Sequence, residues 1–129
     1  MSKLWTFLDF VDGNGTNLIH EWIQALPKEA KAKMTHRIEL LEVVQQFTEP
    51  YTEILTGDCA GLFEIKFRAK RVQYRPLAFF GPERREVTLL AGATEKGGQL
   101  KPPSICATAL SRKALVQTDR RHVCSHDFS

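Results

Sequence analysis

One short stretch of the chain, residues 63–68, reads Phe-Glu-Ile-Lys-Phe-Arg, so that apolar and charged residues alternate without exception. Successive side chains of a β-strand point to opposite faces of a sheet, which makes this the pattern of a half-buried strand. We therefore expect the two phenylalanines and the isoleucine to face a hydrophobic core. The opposite, solvated face is expected to carry Glu64, Lys66 and Arg68.

Two further strands are predicted downstream of this stretch. Residues 69–71 form a turn, residues 72–80 the next strand and residues 86–91 the last strand of the group. Pro76 lies inside the middle strand. Because proline cannot donate a ladder hydrogen bond, we expect a bulge or an edge position there. Residues 92–98 are interpreted as a loop.

Upstream of residue 50 the sequence predicts one strand and then two helices. An apolar run over residues 4–11 predicts the first strand. A helix capped by Thr16 or Asn17 follows and ends at Pro27, which opens a second amphipathic helix reaching about Phe47. Two consecutive amphipathic helices joined at a proline predict a helical hairpin.

The complete pattern predicts one α+β domain over residues 1–117. A last helix begins at Pro102-Pro103 and fades near Gln117, and the polar residues 118–129 are expected to form a mobile tail. The element order is β-α-α-β-β-β-α, with the helical hairpin packed on a mainly antiparallel, twisted sheet. A length of 129 residues suits a single domain with its own core.

The charge is divided unevenly between the two halves of the chain. Residues 1–65 hold five Lys and Arg against ten acidic residues, a net charge of −5. Residues 66–121 hold thirteen Lys and Arg against four acidic residues, a net charge of +9. Such a split favours a polyanionic partner for the basic half, with a solvated surface that binds nothing as the alternative.

Several classes of protein are disfavoured by composition. No run approaches the roughly 20 apolar residues that cross a bilayer, and the N-terminus does not match a signal peptide. The three cysteines are widely spaced and predict no disulfide framework, so we expect a cytoplasmic protein. His122, Cys124 and His126 offer three soft ligands, but a structural site needs four, so no metal and no other cofactor is expected.

The densest functional signal is a run of cations on one predicted hairpin. Guanidinium and ammonium groups on a sheet face suit phosphate, which arginine binds bidentately and lysine as a point charge. Two more lysines lie in or near the loop that follows the last strand. The candidate cations are Lys66, Arg68, Lys70, Arg71 and Arg75 on the hairpin, and Lys96 and Lys101 beyond it.

These stretches resemble a known family. Residues 61–67 (GLFEIKF), 74–80 (YRPLAFF) and 87–92, followed by a Lys-bearing loop that reaches Pro102, are similar to the phage-derived branch of the RelE/HigB toxins. The resemblance covers roughly residues 4–115. It implies a RelE-like fold and the toxin half of a type II toxin–antitoxin module. Such toxins are mRNA interferases, endoribonucleases that cut mRNA in the ribosomal decoding site and are silenced by an antitoxin.

The resemblance also implies roles for individual residues. Arg75 matches the family's phosphate-clamping arginine, Lys66 and Arg68 its basic pair, and Lys96 its basic loop. Crowding by like charges would lower the pKa of Lys66 and help it act as a base. Further contacts to RNA are expected from Lys70, Arg71, Lys101, Arg84 and Arg85.

Two departures leave the general acid unassigned. The loop after the last strand carries Lys96 beside Glu95, where the family has a Phe and a Lys pair, and no tyrosine follows Tyr74. Two other hypotheses therefore stand beside the toxin. One is a catalytically silent relative that binds RNA or a protein, and the other is a module whose basic face binds an acidic protein. The family implies a helix-turn-helix antitoxin, and we expect a segment of it to cover the basic face or to dock in the groove beside the helical hairpin.

Overall fold

The structure, a computed structural model, describes residues 2–127. Its helices are α1 (Leu18–Gln24), α2 (Lys28–Val43) and α3 (Ile105–Thr118). Its strands are β1 (Thr6–Phe10), β2 (Thr52–Ile54), β3 (Phe63–Ile65), β4 (Phe67–Ala69), β5 (Val72–Tyr74), β6 (Leu77–Phe80), β7 (Glu86–Ala91), β8 (Thr94–Lys96), β9 (Gln99–Lys101) and β10 (Val123–Ser125). Short 3-10 turns cover Gly57–Cys59 and Arg120–His122. The α+β class is confirmed.

A six-stranded sheet forms the centre of the molecule, in the order β10-β1-β7-β6-β3-β2. β1 runs parallel to β7, and every other pair in this sheet is antiparallel. The parallel pair is possible because the chain between β1 and β7 is long enough to return to the same end of the sheet. The mainly antiparallel sheet expected from the sequence is confirmed.

A second sheet has four strands, in the order β4-β5-β8-β9. It forms because two of the predicted strands are interrupted, and one part of each belongs to this sheet. The stretch 63–68 breaks at Lys66, and the stretch 72–80 breaks at Arg75-Pro76. The ladder between β6 and β7 also shifts register next to this point, between Leu77 and Ala78. The expectation of an irregularity at Pro76 is confirmed, since proline cannot continue the ladder.

Both hairpins of the small sheet turn through residues with positive φ. Lys70 and Arg71, with φ of 47° and 71°, make the predicted turn between β4 and β5. Gly97 and Gly98, with φ of 60° and 80°, join β8 to β9. The loop interpretation of residues 92–98 is therefore wrong, and the Gly-Gly pair was the sequence signal for a two-residue hairpin.

The two longer helices pack on opposite faces of the large sheet. Phe10 of β1 faces α3. The guanidinium of Arg112, a residue of α3, lies 5.2 Å from the centre of the Phe10 ring. Strand alternation turns Phe7 to the other face, where its ring lies 6.3 Å from that of Phe47, just beyond α2. The core therefore lies in two layers, one on each side of the sheet.

The helical hairpin follows its sequence signals at the start and departs from them at the end. Asn17 caps α1, because its side-chain oxygen accepts a hydrogen bond of 2.8 Å from the His20 amide. α2 ends at Val43, before the predicted Phe47, and Val44 is already extended. Two consecutive β-branched residues disfavour a further helical turn. The last helix likewise begins at Ile105 rather than at Pro102.

The C-terminal segment differs from the expected tail. Residues 123–125 form β10, which pairs antiparallel with β1, and the His126 amide donates to the Phe7 carbonyl at 3.0 Å. The His126 side chain is buried against Asp9, with 2.7 Å between Nδ1 and Oδ1. The interpretation of residues 118–127 as a tail outside the domain is corrected, because β1 offers them a sheet edge. Phe128 and Ser129 lie outside the described residues.

A disulfide joins Cys59 to Cys106, with 5.1 Å between their Cα atoms. It links the 3-10 turn at Gly57–Cys59 to the first turn of α3. The sequence analysis predicted no disulfide framework, and this bond departs from that expectation. The two cysteines are 47 residues apart in the chain, so only the packing of α3 brings them together. Cys124 is free.

Replacing Gly92 with alanine is expected to lower the free energy of unfolding by about 1–3 kcal/mol. A Cβ at this position would lie 2.0 Å from atoms of the Trp22 indole ring, so the ring or the backbone must move. Urea unfolding of G92A measures the loss. Gly13→Ala is the matched control, since a Cβ there would meet nothing within 4 Å. Equal stability of the two variants would contradict the close packing of Trp22 on Gly92.

Candidate active site

Arg75 lies in the break between β5 and β6, where Pro76 ends the ladder. Its Nη1 donates to the Tyr74 carbonyl at 2.9 Å and its Nη2 to Gln73 Oε1 at 3.2 Å. Its Nε lies 3.3 Å from Glu64 Oε2, and the two side chains are 13% and 11% exposed. The guanidinium is thus held from three sides and paired with a carboxylate.

Glu64 is a candidate site residue that the sequence analysis did not assign. It was placed on a solvated strand face, yet it is buried on β3, directly opposite Leu77 of β6. Its Oε2 has no hydrogen-bond partner among the described residues, although Arg75 Nε is within ion-pair distance. We take the pair as electrostatic, because the 3.3 Å approach lacks hydrogen-bond alignment.

Burial raises the pKa of Glu64 above its usual value, and the neighbouring Arg75 and Lys66 oppose that rise. A carboxyl group whose pKa is raised by desolvation can exchange a proton closer to neutral pH than an exposed one. A perturbed carboxyl next to a guanidinium is also typical of functional sites. No sequence signal marked it, because Glu64 alternates with apolar neighbours as a solvated residue of a half-buried strand does.

Lys66 does not have the environment expected from its sequence. Its Nζ lies 3.3 Å from Glu49 Oε1 and still closer to Glu53 Oε1. The hydrogen bond to Glu53 is the largest cause that raises the pKa of Lys66. The expectation of a lowered pKa is therefore wrong, because carboxylates rather than cations surround the ammonium group. A lysine held in its protonated form is poorly suited to act as a base.

The register of the small sheet separates the remaining candidate cations. Arg68 lies opposite Gln73, and Gln73 lies opposite Glu95, so these three side chains share one face. Arg75 contacts Gln73 and continues the same row. Lys96, the next residue along β8, falls on the other face by strand alternation. The structure therefore places Arg68 and Arg75 on one face of the small sheet, pairs Arg75 with Glu64 of the large sheet, and leaves Lys96 off that face.

The candidate RNA-contacting residues fall into two groups. Lys70 and Arg71, in the β4–β5 turn, and Lys101, at the end of β9, are exposed on the rim of the small sheet. Arg84 and Arg85 lie in the β6–β7 turn, and Arg85 stacks over the Trp5 ring at 5.2 Å. That turn lies beyond the far end of β6, about 13 Å of strand away from Arg75. The two arginines therefore form a separate patch.

A protein-family model for phage-derived Gp49-like proteins (DUF891) matches residues 21–114, nearly three-quarters of the chain. The chain belongs to the Gp49-like family. No curated protein and no solved structure matches it. The match begins within α1 and ends within α3, so it includes Glu64, Arg75 and all the candidate cations.

The Gp49-like match leaves out β1 and β10 at the two ends of the chain. Among residues 2–127 of this Gp49-like protein, no helix is long and apolar enough to cross a membrane. Within the same range no group of three His, Cys, Asp or Glu side chains is arranged to hold a metal ion. The chemistry that the described side chains offer is proton exchange at Glu64 beside the positive charge of Arg75.

Proposed function

We propose that this Gp49-like protein is the toxin of a type II toxin–antitoxin module, of the RelE/HigB type, and that it cleaves mRNA on the ribosome. The observation that carries the proposal is the buried Glu64–Arg75 pair, in which one carboxylate oxygen of Glu64 has no hydrogen-bond partner within residues 2–127. The basic rim of the small sheet supports it, since exposed cations there suit the RNA backbone. The partners are ribosome-bound mRNA and a cognate antitoxin, in the cytoplasm.

The proposed reaction uses the 2′-hydroxyl of RNA as its nucleophile. The ionised Glu64 accepts the proton of that hydroxyl, the 2′-oxygen bonds to phosphorus, and the bond from phosphorus to the 5′-oxygen breaks. Arg75 stabilises the extra negative charge on the phosphate oxygens in the transition state. The departing 5′-oxygen takes a proton from solvent or from a ribosomal group. In this scheme Arg68 positions the phosphate from the same sheet face.

A catalytically silent Gp49-like protein that binds RNA or a protein partner is the second candidate. The observation that favours it is charge neutralisation around the two leading cations. Lys66 is paired with Glu49 and Glu53, and Arg75 is paired with Glu64. A phosphate group must compete with these carboxylates, which reduces the gain from each contact.

Induced expression in a bacterial host, with mapping of mRNA 5′ ends, separates the two candidates. The toxin predicts growth arrest and new 5′ ends inside the coding regions of translated messages. A harmless protein that leaves ribosome-bound mRNA intact would refute cleavage. RNA affinity that falls steeply with salt would then support the silent candidate, because counterion release accompanies phosphate contacts.

Lys66→Ala is expected to change the cleavage rate by less than about tenfold. Its ammonium group is already neutralised by two carboxylates and stays protonated, so it is neither a free phosphate ligand nor a base. Single-turnover cleavage on programmed ribosomes measures the effect. Lys33→Ala, an exposed lysine on α2, serves as the matched control. A cleavage rate lowered a hundredfold or more in Lys66→Ala would show that Lys66 takes part in catalysis.

A further inference from the structure

The large sheet ends at β2, which pairs with β3 on one side only. The Lys66 amide donates to the Tyr51 carbonyl at 2.8 Å, and the Leu55 amide donates to the Leu62 carbonyl at 3.0 Å. Alternation along the strand therefore directs the N–H and C=O of Ile54 away from β3. No strand among residues 2–127 covers this edge, which makes it a template for an added strand.

One face of this edge is apolar and open. Ile54 is 73% exposed and Phe80 is 48% exposed, both unusually high for large apolar side chains. Together with Phe47 and Phe63 they form the apolar part of a cleft of about 510 Å³, whose polar lining includes Glu49 and Glu53. The Phe80 ring stacks on Phe63 with 4.4 Å between ring centres, so the floor of the cleft is rigid and aromatic. Exposed apolar surface of this kind is typical of an interaction site.

The rim of the same edge is acidic. Glu53 alternates with Ile54 along β2 and lies opposite Glu64, so strand alternation turns its side chain to the other face, and Glu49 and Glu53 both border the cleft. The side chains of Glu53 and Glu49 are 46% and 69% exposed, and Lys66 contacts both of them. The Arg37 guanidinium lies nearby, 4.6 Å from the centre of the Tyr51 ring. Glu53 is the exposed carboxylate next to Ile54 at this rim.

We propose that β2 is the docking edge for an extended segment of a protein partner in which apolar and basic side chains alternate. Added beside β2, such a strand hydrogen bonds to Ile54 and places apolar side chains in the cleft on one face. Its alternate residues then lie beside Glu53 on the other face, where Lys and Arg form cross-strand ion pairs. This inference goes beyond RNA cleavage and holds whether or not the protein cuts RNA.

Charge favours this protein partner over two other occupants of the edge, RNA and a second copy of the chain. RNA is disfavoured because the exposed carboxylate of Glu53, next to Ile54, would repel a backbone phosphate at this edge. A second copy is disfavoured because two antiparallel β2 strands centred on Glu53 would set like charges directly opposite each other. The β2 edge is also distinct from Arg68 and from the rim of the small sheet, so a partner can dock without covering those cations.

A fluorescent peptide in which valine and lysine alternate is the probe, with a valine–glutamate peptide as the charge control. We expect the lysine peptide to bind the full-length protein saturably, with a dissociation constant below about 1 mM. Amide hydrogen exchange should show protection of the Ile54 N–H on binding. The glutamate peptide should bind at least about tenfold more weakly.

Ile54→Lys and Glu53→Lys are each expected to weaken binding of the lysine peptide by about tenfold or more. Both side chains are exposed, so neither change should unfold the protein. Leu115→Lys, on an exposed apolar residue of α3, is the matched control and should bind as the parent does. Circular dichroism verifies the fold of all three variants.

Four results would overturn the proposal. They are no saturable binding of the lysine peptide, binding without protection of Ile54, equal binding of the glutamate peptide, and an unchanged affinity in both β2 variants. Analytical ultracentrifugation and an RNA oligonucleotide test the other occupants. Self-association abolished by Ile54→Lys would assign the edge to a second copy. Protection of Ile54 by RNA would assign it to nucleic acid.

Discussion

Glu64→Gln is expected to lower the rate of RNA cleavage by about 10²–10⁴-fold, the usual contribution of a general base, while RNA affinity changes by less than tenfold. Glutamine fills nearly the same volume but cannot accept the proton of the 2′-hydroxyl. The exposed cations that contact the RNA backbone are untouched by the change. Single-turnover cleavage on programmed ribosomes and equilibrium RNA binding, measured on the same preparations, give the two quantities separately.

The pH dependence of the cleavage rate tests whether Glu64 is the general base. The reaction needs Glu64 in its ionised form, so the parent rate should rise with pH through the pKa of Glu64 and then level off. Burial raises that pKa above the usual carboxyl value, so the rise should lie above the range of an exposed glutamate. The rise should vanish in the Gln variant. An identical profile in both proteins would rule out Glu64 as the base.

Arg75→Ala, alone and combined with Glu64→Gln, tests whether the two residues act together in the cleavage step. Because Arg75 and Glu64 contact one another and serve one transition state, their effects should be non-additive, with the double variant close to the worse single variant. Glu39→Gln, on the exposed face of α2, is the control. Glu64→Asp keeps the carboxylate and should recover part of the rate. A fully active Gln variant with a parental melting curve would refute the catalytic role.

Asp9→Ala is expected to lower the free energy of unfolding by about 1–3 kcal/mol, the cost of leaving buried hydrogen-bonding groups without their partner. The side chains of Asp9 and His126 are 1% and 4% exposed. Asp9 Oδ1 lies 2.7 Å from His126 Nδ1, and Oδ2 accepts a hydrogen bond of 2.9 Å from Asn17. Asn17 also caps α1, so a single carboxylate joins β1, α1 and the segment after β10.

Urea unfolding measures this loss, and Asp58→Ala is the matched control because Asp58 is exposed and should change stability by no more than about 0.5 kcal/mol. Amide exchange of β10 in the Asp9 variant should be faster than in the parent, since its anchor to β1 is weakened. A loss below about 1 kcal/mol with unchanged exchange would show that β10 is held by its backbone ladder alone.

Much of the local structure could be predicted from residue types and spacing. The helix cap at Asn17, the turn at Lys70-Arg71 and the irregularity at Pro76 depend on neighbours within a few residues, so their signals lie in the sequence. The hairpin between β8 and β9 was missed although its Gly-Gly signal was present. The edge strands β2 and β10 have three residues each, too few to show a period.

The candidate site was only partly predictable. The cations on the hairpin, and Arg75 first among them, follow from composition and from the family resemblance. Glu64 was assigned to a solvated face because alternation along one strand cannot tell which face another element will cover. The proposed base was therefore overlooked, while Lys66 was given a chemistry that its surroundings do not support.

By itself, the sequence determined the strand periods, the turns, the helical hairpin and the division of charge, since each depends on residues close together in the chain. Only the tertiary structure decided which charges meet. Lys66 is paired with Glu49 and Glu53, Arg75 meets Glu64 beside the β3–β6 ladder, and His126 reaches Asp9 from 117 residues away. Burial and the register between strands fix these pairs, and neither is a property of any single segment.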